Sequence, residues 1–512
     1  MIRESCLVRQ NVEAARRRAV PKGFCMEGST TPILLRVFLR RKNETEANAV
    51  PTSERALPSH EAWMILYALM IPSTIMPLSS SMSRVALPVL RDTFSMSADV
   101  VAWTSSAFTL PYMILMPVYG RLSDGVGRRR LILAGIAIFS AGSAMALFAT
   151  NLTWLMIGRA VQGFGIAGMM PLGMAFIATV FREGERGKAL GTWGSIGPLM
   201  AAIGPFFAGF LVDAWGWRAA FAPALLLGLA GIYAVRQWVP AGLSDVQPHF
   251  WRSFDWTGVL LLAGTLTLGL FYLSSRPITG VEPLRDWRLL AALALLLVFF
   301  LVWESRRANP FVSLNLFSYR NFRFASLCAA IRMFVMGGAS FLVPLYLVDI
   351  HDFSPGILGL MLTVNPGAMA LMVRFGGQAA DRWGSRWPVL AGLSGQALAV
   401  FFLSQLPASV HVGVVIFLLA LQGLSVGTML AALHQAAMSE TEEDEMGTAA
   451  GVYSMIRFVG VAIGTALAGV LLHTGLERGL PVIEAYQQVF LYVALAGLVG
   501  ITASLGLRSR PG

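Results

Sequence analysis

Charged residues divide this chain, between residues 62 and 507, into fourteen long and nearly charge-free stretches. They fall at about 62–83, 101–120, 131–150, 153–177, 189–212, 219–236, 256–275, 287–304, 324–348, 355–373, 387–406, 411–434, 447–473 and 486–507. Each approaches the roughly 20 apolar residues that a helix needs to cross a bilayer. A helix also satisfies its own backbone polar groups where no water can. The chain is 56% hydrophobic and 13% charged, whereas soluble domains carry about 25% charged residues. An all-α, polytopic membrane protein with fourteen transmembrane helices is therefore expected.

The formal charge of +11 follows the same division. With the N-terminus inside, the inner loops and the C-terminal end hold eighteen basic residues, among them Arg121, Arg128, Arg129, Arg130, Arg182 and Arg186. The outer loops hold six: Arg91, Arg218, Arg276, Arg285, Arg288 and Arg478. Lys and Arg collect in cytoplasmic loops, so both termini are expected in the cytoplasm, with the protein in the cell (inner) membrane. The basic excess is topological and needs no nucleic-acid partner. Residues 1–60 are basic and lack a sustained apolar face. They read as a flexible cytoplasmic tail, or as sequence upstream of a true start at Met26 or Met64. Cys6, Cys25 and Cys328 are too scattered for a disulfide framework or a metal site.

"VQGFGIAG" places Gly163, Gly165 and Gly168 at the spacing of a dinucleotide-binding loop. That chemistry needs a preceding strand and a following acidic residue on a soluble domain. Here no charge occurs from Ala160 to Phe181, so the glycines belong to a helix-packing surface. No phosphate-binding G-x-x-x-x-G-K-[ST] loop is present either, which leaves an ion gradient as the energy source for any transport. No enzyme activity, cofactor or metal is expected. The acidic run Ser439–Glu445 lacks a rigid ligand scaffold and reads as a solvated turn.

The chain repeats itself. Gly120, Asp124 and Gly127 in "GRLSDGVGRRR" recur 257 residues later as Gly377, Asp381 and Gly384 in "GQAADRWGSR". Gln162-Gly163 recurs 260 residues later as Gln422-Gly423. Two halves of similar design are typical of transporters.

The chain from about residue 62 onward resembles the major facilitator superfamily, and within it the fourteen-span drug:proton antiporters. "GRLSDGVGRRR" is similar to that family's loop between helices 2 and 3. Arg159, Gln162, Gly163, Gly165 and Ala167 match its helix 4 motif R-x-x-Q-G-x-G-x-A, and "GPFFAGFL" at 204–211 resembles the helix 5 antiporter motif. "FDWTGVLLL" and "NPFVSLNLFSYRNF" look like the borders of the extra helix pair. The resemblance implies an N-terminal six-helix half at 61–238, a linker with the inserted pair at 239–321, and a C-terminal half at 322–512. It further implies gating roles for Gly120, Asp124, Gly127, Arg128, Gly204, Pro205, Asp381 and Arg382. Spans 1, 4, 9 and 12 would line the cavity.

One departure bears on chemistry. Where the family reads L-D-x-T-I-V-N-V-A-L-P, this chain has "LSSSMSRVALP", with Ser79 for the acidic residue and Arg84 for the asparagine. No carboxylate stands near the middle of a span, whereas Arg84, Arg159, Arg332 and Arg457 lie within spans or at their margins. An arginine at mid-bilayer costs about 2.5–3.5 kcal/mol on insertion scales, an expense that marks function unless the side chain snorkels, as Arg84 and Arg457 can. Ser79, Ser83, Arg159, Gln162, Arg332 and Gln422 are thus the expected substrate contacts, favouring anionic or strongly hydrogen-bonding compounds; bundle support is the alternative role for the arginines. His434 is the candidate proton carrier. The functions open to the chain are a proton-driven exporter of small molecules, expected as a monomer in the bilayer, an importer or facilitator, or a non-transporting membrane sensor or assembly factor.

Overall fold

A computed structural model describes residues 59–241, 254–281, 285–307, 310–441 and 445–508. The proposed tail, apart from Ser59 and His60, lies outside them, as do residues 442–444 of the acidic run. Within them fourteen helices are long and apolar enough to span a membrane, and no strand occurs among the described residues. They are α1 (Ser59–Thr93), α2 (Ala98–Val126), α3 (Arg128–Leu147), α4 (Leu152–Ile166, resuming as Met169–Val180), α5 (Glu183–Trp215) and α6 (Ala222–Trp238). Then come α7 (Trp256–Ser274) and α8 (Trp287–Arg306). The last six are α9 (Arg320–His351), α10 (Pro355–Trp383), α11 (Arg386–Leu403), α12 (Val412–Met438), α13 (Met446–Glu477) and α14 (Val482–Ser504). An even number of spans puts both ends of the described chain on one face of the bundle, called the terminal face below; the opposite is the far face.

Several helices outrun their apolar stretches, α10 by ten residues to Trp383, and two elements show a cause for their difference from the sequence expectation. The first span extends ten residues past 83, to Thr93, because Arg84 and Arg91 are partnered inside the protein and do not end the helix. The fourth span breaks at Ala167 and Gly168. There a Cβ on Gly168 would run into the Tyr119 ring, so the chain approaches α2 too closely for any side chain.

The sequence repeat is a structural repeat. Gly163 of α4 meets the Phe108 carbonyl of α2, and Gly423 of α12 meets the Asn365 carbonyl of α10. Gly135 faces the Gly165 carbonyl just as Gly392 faces the Ser425 carbonyl. Lipid supplies no hydrophobic drive between helices, so close backbone approach through small residues holds them together. Gly127 and Gly384, at equivalent places, take φ of 91° and 77°, a region costly for any residue with a Cβ.

The inserted pair is organised by its borders. Asp255 caps α7 by accepting from the Gly258 N–H at 3.0 Å, and it also accepts from Trp303 Nε1 of α8. Phe254 meets Phe311 at 6.2 Å, joining the two border motifs. α7 packs against α2 and α13, whereas α8 packs on α7 and leaves Leu295, Val298 and Phe299 exposed. Glu440, in the described part of the acidic run, accepts from the Asn321 N–H at 2.9 Å at the start of α9. A carboxylate is favourable at a helix N-terminus.

Candidate functional site

The two halves meet at the far face. One apolar cluster there draws on both, from Met82, Val85 and Trp217 to Phe341, Leu345 and Phe490. Toward the terminal face one cluster is built on α1–α6 and another on α9–α14 with α7 and α8, α2 alone of the first half reaching the second cluster through Val118. α5 and α10 show the same asymmetry. Near the far face a Cβ on Gly209 would meet the Pro355 carbonyl and Gly359, and one on Gly359 would meet the Pro205 carbonyl. Toward the terminal face Gly191, Gly194, Gly197 and Gly367 look into open space.

An ion pair reinforces the far-face closure. Arg91 of α1 donates through both Nη atoms to Asp349 of α9, each at 2.7 Å, and Tyr486 of α14 donates to the same carboxylate at 2.6 Å. Beside it His473 of α13 lies 4.0 Å from Asp99 of α2 and 3.2 Å from Glu477, which in turn pairs with Arg276 after α7. Of these contacts, Arg91–Asp349 and His473–Asp99 join elements of different halves at the far face.

Between the halves lies a cavity of about 180 Å³. α1 lines it with Met76, Ser80, Ser83, Arg84 and Leu87, and α2 with Ser105, Phe108, Thr109 and Tyr112. Both sets recur every three to four residues and so share one helical face. α4 contributes Arg159, α9 Ser340 and Phe341 among others, and α13 Phe458, Val461 and Thr465. Arg84 donates to Ser340 across the halves at 3.4 Å. Arg159 donates to Gln162 at 2.8 Å and reaches the Thr104 carbonyl. Its guanidinium lies 4.6 Å from the Phe108 ring centroid, within cation–π range. At the terminal-face end Tyr112 and Phe458 meet edge to face at 4.8 Å, one from each half. Among the described residues neither Arg84 nor Arg159 has a carboxylate partner, so the cavity presents two cations, several hydroxyls and aromatic faces.

The expected substrate contacts are distributed unevenly about this cavity. Ser83 and Arg159 line it. Gln162 is buried behind Arg159 and donates to Ser143 at 2.8 Å, fixing the orientation of its amide. Ser79 is buried outside the lining. Gln422 accepts from Asn365 at 3.0 Å in the matching place of the second half. Arg332 is buried on α9 beside α11, where Gln396 donates to its carbonyl, and it too lies outside the lining. His434 accepts from Arg457 Nη1 at 2.9 Å. A guanidinium has no acceptor, so in this state Nε2 supplies the lone pair and the ring is neutral.

The expected gating residues sit where halves or helices cross. Arg128 donates to the Ala175 carbonyl and Thr179, tying the start of α3 to the end of α4; Gly120 faces Pro171 of the same segment. Gly204 packs against Ser81 of α1, and the Pro205 carbonyl against Gly359 of α10. Asp381 accepts from Gln435 at 3.3 Å, and Arg382 is exposed. Asp124 belongs to α2, but its side chain lies outside the described set.

Sequence reasoning did not anticipate α2 and α13 as walls, nor Tyr112, Ser340 and Phe458. Nothing in their local patterns separates cavity-lining aromatics and serines from packed ones. Asp349 was visible only as an acidic residue at a span end.

Twelve spans in two matching halves, with an inserted pair and a polar cavity between the halves, define a membrane transporter. The sequence profile of the Major Facilitator Superfamily matches residues 69–325 and 325–512, and the chain belongs to that family. It is 31% identical to a probable actinorhodin transporter of Streptomyces coelicolor over 81% of this chain and 73% of that one. It is 27% identical to the tetracenomycin C resistance and export protein of Streptomyces glaucescens over 80% and 76%. It is 26% identical to the riboflavin transporter RibZ of Clostridioides difficile over 79% and 87%. Among solved structures it shares its fold with the peptide transporter POT in complex with sulfate, at a TM-score of 0.65 and 14% identity, covering 86% of this chain and 93% of that one.

Proposed function

We propose that the chain is a proton-driven secondary exporter of small molecules that works by alternating access, acting as a monomer in the cell membrane with both termini cytoplasmic. The observation that carries this reading is a cavity between two halves that are locked together at the far face. Because basic residues collect in the terminal-face loops, that face is assigned to the cytoplasm, and the state described is closed to the outside. Export then requires the Arg91–Asp349 pair and the α5–α10 contact to open while the loops at Gly120–Arg128 and Gly377–Arg382 close. Likeness to a tetracenomycin C export protein and a probable actinorhodin transporter supports a drug-like cargo.

The cavity favours anionic or strongly hydrogen-bonding cargo. A cation brought beside Arg84 and Arg159 without a carboxylate would meet repulsion in a low-dielectric site. Ser83 and Arg159 contact substrate directly in this reading, and Gln162 orients Arg159. Likeness to a riboflavin transporter favours a second reading, uptake through the same cavity. Counterflow of labelled riboflavin and naphthalenesulfonate in proteoliposomes separates the readings. Export by proton exchange predicts accumulation that grows when the lumen is made acidic relative to the bath with the terminal face outward. Accumulation indifferent to the pH gradient would overturn the proton drive, and no counterflow by any compound would overturn transport.

A further inference from the structure

The two remaining intramembrane arginines gather on the terminal-face side of the cavity. Arg457 of α13 donates to His434 of α12 and lies 5.7 Å from the Tyr453 ring centroid. The His434 ring meets Tyr453 edge-on at 5.4 Å. Arg332 of α9 stands between Ala330 and Phe334, whose carbonyls pack on Gly460 and Gly464 of α13, and its charge acts on Arg457 and Tyr453. It is 2% exposed, and its Nε and that of Arg457 are both buried without a hydrogen-bond partner. Among the described residues no carboxylate pairs with either arginine.

This is an unbalanced arrangement. Two guanidiniums repel each other, and the burial of Arg332 leaves that repulsion only partly screened. Since Arg457 must be the donor to His434 Nε2, the ring carries its proton on Nδ1 and offers a donor as well. A buried N–H with no acceptor is destabilising until a partner reaches it. An oxyanion between the groups would accept from these donors and cancel the repulsion. His434 is exposed, so protein does not cover the cluster on every side. Tyr112 lies within electrostatic reach of Arg457 and meets Phe458, the next residue on α13. That aromatic pair lines the central cavity at the end nearest Arg457.

We propose that Arg332, His434, Tyr453 and Arg457 form a second anion site, on the terminal-face side of the Tyr112–Phe458 pair, which holds a sulfonate, carboxylate or phosphate group before cargo passes into the Arg84–Arg159 cavity. The loading role rests on the transport reading above; the site itself rests on the donors. A free solute and a lipid headgroup offer the same oxyanion chemistry, and the experiment tells them apart.

The test is equilibrium binding of radiolabelled naphthalenesulfonate to the full-length protein in phosphatidylcholine nanodiscs. The expected stoichiometry is two per chain, falling to one in Arg457→Gln and to one in Arg159→Gln, with near-complete loss in the double variant. Arg457→Lys keeps the charge and should retain the second site with several-fold weaker binding. Repeating the titration in phosphatidylglycerol nanodiscs reads the source. Unchanged stoichiometry assigns a soluble anion, and loss of only the Arg457-dependent site assigns a headgroup; both support an anion site there. A wild-type stoichiometry of one that Arg159→Gln abolishes and Arg457→Gln leaves intact would overturn the second site while leaving the transport reading standing. Two sites in a protein that shows no counterflow would do the reverse.

Discussion

Arg159 is held by Gln162, the Thr104 carbonyl and the Phe108 ring, contacts that fix its head without neutralising it. Replacing it with Gln keeps a donor of similar length and removes the charge. A hydrogen bond to a charged group contributes about 1.5–3 kcal/mol, so affinity for naphthalenesulfonate should fall roughly tenfold to a hundredfold while the protein inserts at normal abundance. Loss of folded protein without any affinity change in the residue that remains would assign Arg159 to bundle support. Gly127 and Gly384 test a different property. Both combine positive φ, 91° and 77°, with extended ψ, so alanine at either should cost roughly 1–3 kcal/mol and lower the melting temperature; equal melting points would refute the strain. Ser83 and Arg159 were legible in the sequence because a charge or a hydroxyl in an apolar run stands out. Arg84 was legible as an anomaly, but its place in the cavity became clear only once α1 was seen to continue past it.

All fourteen helices could be read from the spacing of charges, because in lipid a long apolar run has few other fates. Their ends could not. α1 outran its apolar stretch since its charges are satisfied by α9, and partners on another element leave no mark in local sequence. Helix packing was half legible: Gly163 and Gly423 announced close contacts, but not with which neighbours. The α5–α10 crossing makes a prediction. A methyl on Gly359 would meet the Pro205 carbonyl, a backbone atom that cannot turn aside, and such overpacking costs about 1–3 kcal/mol. Gly359→Ala should therefore wedge the far face apart. A cysteine placed at Ser340 on the cavity wall should react several-fold faster with an impermeant maleimide from that side. Gly367→Ala on the same helix meets open space and should leave the rate unchanged; equal rates in both variants would show that the crossing is not a gate.

For the molecule as a whole, closure of one face depends on contacts that the other state must break. A ligand or substitution shifts such an equilibrium only through contacts that differ between its states. The Arg91–Asp349 pair is bidentate but about one-fifth exposed on each side, so screening limits it to about 1 kcal/mol. Arg91→Gln should raise the far-face-open population about fivefold, read as faster labelling at Ser340→Cys, and a rate unaltered from the parent would remove the pair from the gate. Selection of cargo by positive charge is the role proposed for the cavity between the halves. It is tested most directly by parallel counterflow of naphthalenesulfonate and tetraphenylphosphonium in proteoliposomes carrying the wild type or the Arg84→Gln/Arg159→Gln double variant. The wild type should accumulate the sulfonate and exclude the cation, and the double variant should lose the sulfonate. Efficient accumulation of tetraphenylphosphonium by the wild type, unchanged in the double variant, would contradict it.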